Sequence, residues 1–353
     1  LEVAKRRAID LIRRDRRLDT SEPDGAEAST VATAVDVALS PEADAENQLA
    51  MMFAICDDAL SPETHVTLIL RFLCGLSPRE IARAFLVDVQ TIDRRLHRGR
   101  ARLESLGRLH DVSDADDVRT RQPSVEQALY LLFNEGYHGS DPQSPLHPAM
   151  CADALRLAEL LLQSRAVERR TVHALAALFC FNAARIATRL DAEGVVVPLA
   201  EQERARWDGA LIARGLGHLG ESASGDHWSR WHLEAGIAFE HTTAPSVAET
   251  NWARVVDYYD VLLSIAPGPI VALNRGLAVA ELRGLPAGRD ILRALESDPK
   301  LARYSFYWAA RADLERRMGR AGEAIALYAR AVALAKSAAE RISYERRIRD
   351  LGN

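Results

Sequence analysis

Long apolar runs, paired cysteines and alternating β-branched segments are all scarce in this chain of 353 residues. The richest apolar stretch, from Ala174 to Phe181, is interrupted by Asn182 and Arg185, so no transmembrane span is expected. No signal peptide is read, and a cytoplasmic protein without a membrane partner is the expectation. Cys56, Cys74, Cys151 and Cys180 are widely spaced and include no C-x-x-C pair. That argues against a disulfide framework and for buried, reduced thiols. His227, His232 and His241 lack the i, i+4 spacing of metal ligands, so no metal is expected. Gly215-Leu216-Gly217-His218-Leu219-Gly220 matches G-x-G-x-x-G, but no strand precedes it, which argues against a dinucleotide site. No Ser-His-Asp or Cys-His arrangement has a defensible spacing. Neither enzymatic activity nor a cofactor is expected.

Ala, Leu, Arg and Glu dominate what is present, a composition suited to an all-α protein. The formal net charge of −5 is unpromising for a nucleic-acid binder until its distribution is considered. Residues 19–48 hold eight acidic residues and no Lys or Arg, whereas residues 94–108 hold six Arg and one Glu. Contact with nucleic acid depends on local charge, and here it is strongly segregated.

Residues 1–17 read as a basic amphipathic helix, with Val3, Ile9 and Ile12 as its apolar stripe. Residues 18–47 read as an acidic linker. Helices are expected near 48–59, 62–74, 78–86 and 89–106, followed by a polar break at 111–122. From Ser124 onward the pattern is helical, with breaks at 139–148, 191–198, 220–226, 267–269 and 284–286. Ala287, Ile291, Ala294 and Pro299 have the spacing of small, apolar, small and proline positions in a tetratricopeptide unit, and Ala324, Tyr328 and Ala331 repeat its first part. Generic antiparallel helices are the other reading of these positions. Asn134, Glu135, Tyr137 and His138 read either as a hydrogen-bonded helix end or as the lining of a small polar pocket.

The strongest local signal lies between Leu76 and Leu96. Ser77 and Glu80 have capping-box spacing and Pro78 takes the first helical position. Ile81, Ala82 and Phe85 then face a core, Asp88 caps a second helix, and Ile92 and Leu96 pack back onto the first. Small Ala82 permits the close crossing of a helix-turn-helix. Val89, Gln90, Thr91, Asp93, Arg94, His97 and Arg98 are the expected DNA-facing residues. Gln suits adenine and Arg suits guanine in a major groove. Arg100 and Arg102, farther along, suit phosphates.

Several segments resemble extracytoplasmic-function sigma factors of bacterial RNA polymerase. Thr67-Leu68-Ile69-Leu70-Arg71-Phe72, Gly75-Leu76-Ser77, Glu80-Ile81-Ala82-Arg83 and Arg95-Leu96-His97-Arg98 are similar to their region 4. Val3-Ala4-Lys5-Arg6-Arg7-Ala8-Ile9-Asp10 resembles the last helix of region 2. Leu129-Tyr130-Leu131-Leu132-Phe133-Asn134-Glu135-Gly136-Tyr137, Asp191-Ala192-Glu193-Gly194, Trp207-Asp208-Gly209-Ala210 and Ala272-Leu273-Asn274-Arg275 resemble the subgroup with a C-terminal tetratricopeptide-like extension. Cys56-Asp57-Asp58 stands where that subgroup commonly has Cys-His-Pro, and most of region 2 is absent before Leu1, as in an N-terminal truncation.

The resemblance implies a remnant of region 2 at 1–17, with Lys5, Arg6 and Arg7 toward the minus-10 element, and the acidic linker at 18–47. It implies a region 4 domain at 48–110, a helical extension at 124–245 and tetratricopeptide-like repeats at 246–353. The implied function is minus-35 recognition and transcription initiation, with promoter DNA and the flap and clamp of core polymerase as partners. The extension is expected to regulate this, by docking on the protein's own DNA-binding domain or on polymerase. A helical-repeat protein-binding scaffold and a ligand-responsive activator that is not a sigma subunit are the alternatives.

Overall fold

The computed structural model describes residues 41–106, 115–138, 146–225, 227–335 and 337–352, with side chains from Gln48 onward. Lys5, Arg6, Arg7 and the linker up to residue 40 lie outside the described residues. Among the described residues the chain is helical, and its only strand-like pairing is an antiparallel bridge between Leu190 and Val196. The all-α expectation holds. Two compact units form, one from residues up to 134 together with 153–172, the other from 135–152 together with 173–353.

The first unit opens with α1 (Pro41–Ile55), α2 (Pro62–Phe72), α3 (Pro78–Phe85) and α4 (Val89–Leu106). Helix α1 begins seven residues before the expected start, inside the stretch read as linker. The Ser61 hydroxyl accepts from the Thr64 N–H and starts α2. The Ser77–Glu80 capping box forms as expected and starts α3, with Ser77 N–H donating to Glu80 Oε2 at 2.6 Å. Helix α3 ends where Leu86 adopts left-handed backbone (φ 53°, ψ 44°). The N–H groups of Val87 and Leu86 then satisfy the carbonyls of Ala82 and Arg83, a Schellman closure. Helices α2 and α3 both pack on α4, burying Leu68, Ile69, Ile81, Ala82, Ile92, Leu96 and Leu103. A Cβ at Gly99 would lie 2.7 Å from Leu68 Cδ2, so this glycine permits the α2–α4 approach.

The polar break expected at 111–122 is instead helical from residue 115, within α5 (Ala115–His138). The polar residues there tie the interior together. Buried Arg121 donates to the Phe53 carbonyl, and the Ser124 hydroxyl hydrogen-bonds His65 Nδ1 at 3.3 Å. Gln122 exchanges hydrogen bonds with the backbone of Glu168, between α6 (Pro148–Leu161) and α7 (Arg169–Ala183). Polarity marks an exposed linker only when the polar groups meet water; Asp116, Arg119 and Thr120 do, whereas Arg121 and Gln122 are buried against protein partners.

In the second unit, α8 (Gly209–Ser222), α9 (Arg230–Thr243), α10 (Trp252–Ile265), α11 (Pro269–Arg283), α12 (Leu285–Ala294), α13 (Ser305–Arg317), α14 (Ala321–Leu334) and α15 (Ala338–Gly352) each pack on their sequence neighbours. The expected breaks at 191–198, 267–269 and 284–286 all separate helices. A close crossing joins α11 to α12, where a Cβ at Gly288 would lie 2.3 Å from that of Ala280. Ala324, Tyr328 and Ala331 are buried as their spacing predicts. In the earlier set Ala294 is exposed, and Gly288 and Leu292 carry the packing instead. Residues 169–188 are apolar and long enough to cross a membrane by composition, and 67% of that window is buried inside the fold. Gly215 lies inside α8, where its missing Cβ makes room for the Phe181 ring.

Candidate nucleic-acid interface

Helix α4 begins where the Asp88 carboxylate accepts from the Thr91 N–H at 2.7 Å. Hydrogen bonds from the backbone and side chain of Thr91 hold that carboxyl below its ordinary value. The apolar spacing then divides the helix. Ile92, Leu96, Gly99 and Leu103 are buried, whereas Val89, Gln90, Asp93, Arg94, His97 and Arg98 are exposed. These are six of the seven residues expected to face DNA, and the fold brings them onto one side of one helix. Thr91 is half-buried, and its hydroxyl accepts from Arg94 Nη2 at 3.3 Å. Arg94 also donates from Nε to the Gln90 carbonyl.

The two arginines assigned to phosphates are placed differently. Arg100 is half-buried with its guanidinium 5.3 Å from the Phe72 ring centre. Arg102 grips Asp57, whose carboxylate is 3% exposed. Both oxygens of Asp57 accept from Arg102, and Asp57 Oδ1 also accepts from the Ala59 N–H. In this arrangement Arg102 fastens α4 to the turn after α1.

Sequence reasoning missed a cleft beside the exposed face. It encloses about 380 Å³ and is lined by Ser61, Glu63 and Thr64 from the start of α2 and by Thr91, Arg94, Arg95 and Arg98 from α4. Arg95 lies over the Phe85 ring at 5.0 Å, which turns its guanidinium along the helix pair. Glu63 is the one acidic group in the lining; its own backbone N–H and the Ser61 hydroxyl hold its carboxyl below the usual value. The signal for this cleft was present in Ser61-Pro62-Glu63, a helix start, but nothing local says which helix face it will meet. Three arginines beside helix-start N–H groups form an anion-attracting concavity.

Comparison with known proteins places part of this domain in a known family. Residues 58–103 match the family model for sigma-70, region 4. Residues 121–223 match a family of unknown function, DUF6596. An uncharacterized protein of Rhizobium meliloti (strain 1021) is 33% identical over 292 residues, which cover 83% of this chain and 68% of that protein. The chain therefore belongs to the family of that Rhizobium protein and is sigma-factor-like, with a DNA-binding region 4 helix-turn-helix followed by a helical region.

Proposed function

We propose that this chain is a sigma subunit that recognises the minus-35 element of promoters and starts transcription with bacterial RNA polymerase in the cytoplasm. The carrying observation is the exposed face of α4, where Gln90, Asp93, Arg94, His97 and Arg98 stand clear of the core on a helix capped by Asp88. Gln90 and Arg94 read base edges, with Val89 available to a thymine methyl. Arg98 and the cleft that Arg94 and Arg95 share with Ser61 and Thr64 accept a backbone phosphate. Arg100, half-buried over Phe72, contributes long-range attraction. The same domain meets the polymerase flap, and Lys5, Arg6 and Arg7 serve the minus-10 contact.

The helices from residue 124 onward form a regulatory extension, with tetratricopeptide-like repeats after 246. Buried Ala324, Tyr328 and Ala331 and the sequential packing of α9 to α15 support that reading. Regulation proceeds by docking of the extension on the DNA-binding domain or on polymerase.

The deciding experiment is affinity purification of the full-length protein from cells, followed by transcription with reconstituted polymerase. The expected result is stoichiometric core polymerase and transcription dependent on this protein. Purification without polymerase, together with intact sequence-specific DNA binding, would make it an activator instead. Loss of both would leave a helical scaffold.

A further inference from the structure

Three arginines converge in the second unit with no acidic partner among the described residues. Arg185, just after α7, is only 8% exposed, and its Nε makes one long hydrogen bond, 3.4 Å, to Gln202 Oε1. Its guanidinium lies over the Trp207 ring at 5.7 Å, and Arg204 lies over the same ring at 4.6 Å. Arg189 packs on the Tyr137 ring at 3.9 Å and reaches His138 Nδ1 at 3.4 Å. Among the described residues no carboxylate pairs with any of the three.

Part of this charge is compensated. Arg204 Nη1 donates to the carbonyls of His241 and Ala244, at the end of α9, where a helix terminus favours a cation. The remainder is not. Arg189 Nε, Arg204 Nη2, His241 Nδ1 and Thr242 Oγ1 are buried and lack a hydrogen-bond partner. Arg185 is the buried one of the three, Arg189 and Arg204 being half-exposed, and a buried charge ordinarily comes with a counter-charge because its removal from water is costly. Like charges brought together raise that cost. Burial followed by the Arg189 and Arg204 charges lowers the affinity of Arg185 for its proton, and burial followed by Arg185 and Arg204 does the same for His241.

We infer that Arg185, Arg189, Arg204 and His241 form a binding site for a small oxyanion ligand bearing a carboxylate or phosphate, with Trp207 and Tyr137 as its aromatic shelf. Guanidinium forks match such oxyanions in geometry, and an oxyanion supplies both the missing acceptors and the missing negative charge. The two rings fix the planes of the arginines before a ligand arrives, so little side-chain freedom remains to be lost on binding. All but His241 fall within the segment matching the family of unknown function. The inference concerns ligand binding alone and stands whether or not the chain proves to be a sigma subunit.

Thermal unfolding of the full chain tests it, with inorganic phosphate and succinate as probes against sodium chloride at equal ionic strength. At 10 mM one of the two probes should raise the midpoint by at least about 3 °C, and which one does so tells phosphate from carboxylate. The rise should vanish in Arg185→Gln and in half-buried Arg189→Gln, and persist in Arg94→Ala, which alters only the DNA-facing basic surface. Should Arg185→Gln fail to fold, Arg189→Gln carries the comparison. No rise with either probe, or a rise retained in Arg189→Gln, would overturn the assignment.

Discussion

The guanidinium of Arg102 holds the buried carboxylate of Asp57 through two hydrogen bonds, Nε to Oδ1 at 2.8 Å and Nη2 to Oδ2 at 3.2 Å. The backbone carbonyl of Asp57 also hydrogen-bonds His65 Nε2 at 2.8 Å. One residue therefore ties the recognition helix α4 and helix α2 to the turn after α1. Asp57, in the Cys56-Asp57-Asp58 turn, thereby anchors both helices.

Removing the carboxylate should loosen the DNA-binding domain rather than its grip on DNA. Asp57→Ala is expected to cost about 1–3 kcal/mol of stability, since it strands Arg102 and the Ala59 N–H. Arg102→Ala should also lower the denaturation midpoint while leaving the salt dependence of DNA binding unchanged. Urea unfolding and binding titrations at several salt concentrations check both. A salt slope reduced by about one unit, with stability intact, would return Arg102 to a phosphate contact.

Arg94 is expected to carry sequence readout. Arg94→Ala should weaken binding to the cognate element by about 1–3 kcal/mol and flatten base preference at one position. Fluorescence anisotropy on cognate and single-base-substituted duplexes measures this. Equal losses on cognate and random DNA would reassign Arg94 to the backbone.

Gly288 should tolerate no side chain. A Cβ there would meet Ala280 Cβ at 2.3 Å and the Gly276 carbonyl oxygen at 2.7 Å, both parts of a rigid helix. Gly288→Ala should therefore destabilise the α11–α12 pair by about 1–3 kcal/mol despite the better helix propensity of Ala. Calorimetry should show the loss in the unfolding of the second unit. A variant more stable than the parent would mean that α12 shifts without cost.

His241 sets an acid limit on the second unit. Burial, reinforced by Arg185 and Arg204, pushes its pKa down to about 4 from an ordinary 6.5. The unfolded chain takes up this proton first as the pH falls, so stability declines from about pH 6.5 toward pH 4, by up to about 3 kcal/mol from this group. Urea unfolding between those limits should show the decline, and His241→Gln should reduce it, leaving the part due to His138, whose pKa burial and the Arg189 and Arg185 charges lower to about 3. An identical slope in the variant would place the acid sensitivity elsewhere.

How much was legible beforehand depended on how far apart the cooperating residues lie. Ser77, Pro78 and Glu80 started α3 as read, and Asp88 started α4, because a cap acts on N–H groups two or three residues away. The alternation of Ile92 and Leu96 with exposed residues placed the buried and exposed sides of α4 correctly, since helical geometry alone assigns those faces. The stretch at 115–122 was misread because its polarity is identical whether the side chains meet water or, as with Arg121 and Gln122, protein partners.

The sequence by itself determined the all-helical class, the helix-turn-helix and most of the breaks, all of which arise from interactions within about one helical turn. Only the tertiary structure decided what the arginines do. Arg102 meets a carboxylate 45 residues earlier in the chain, and Arg185 and Arg204 share the Trp207 ring from opposite ends of an irregular segment. A guanidinium on a flexible stem has the same sequence signature in water, on a ring or in an ion pair. Its role is set by which surface packing brings within reach, and that depends on the whole core rather than on its neighbours in the chain.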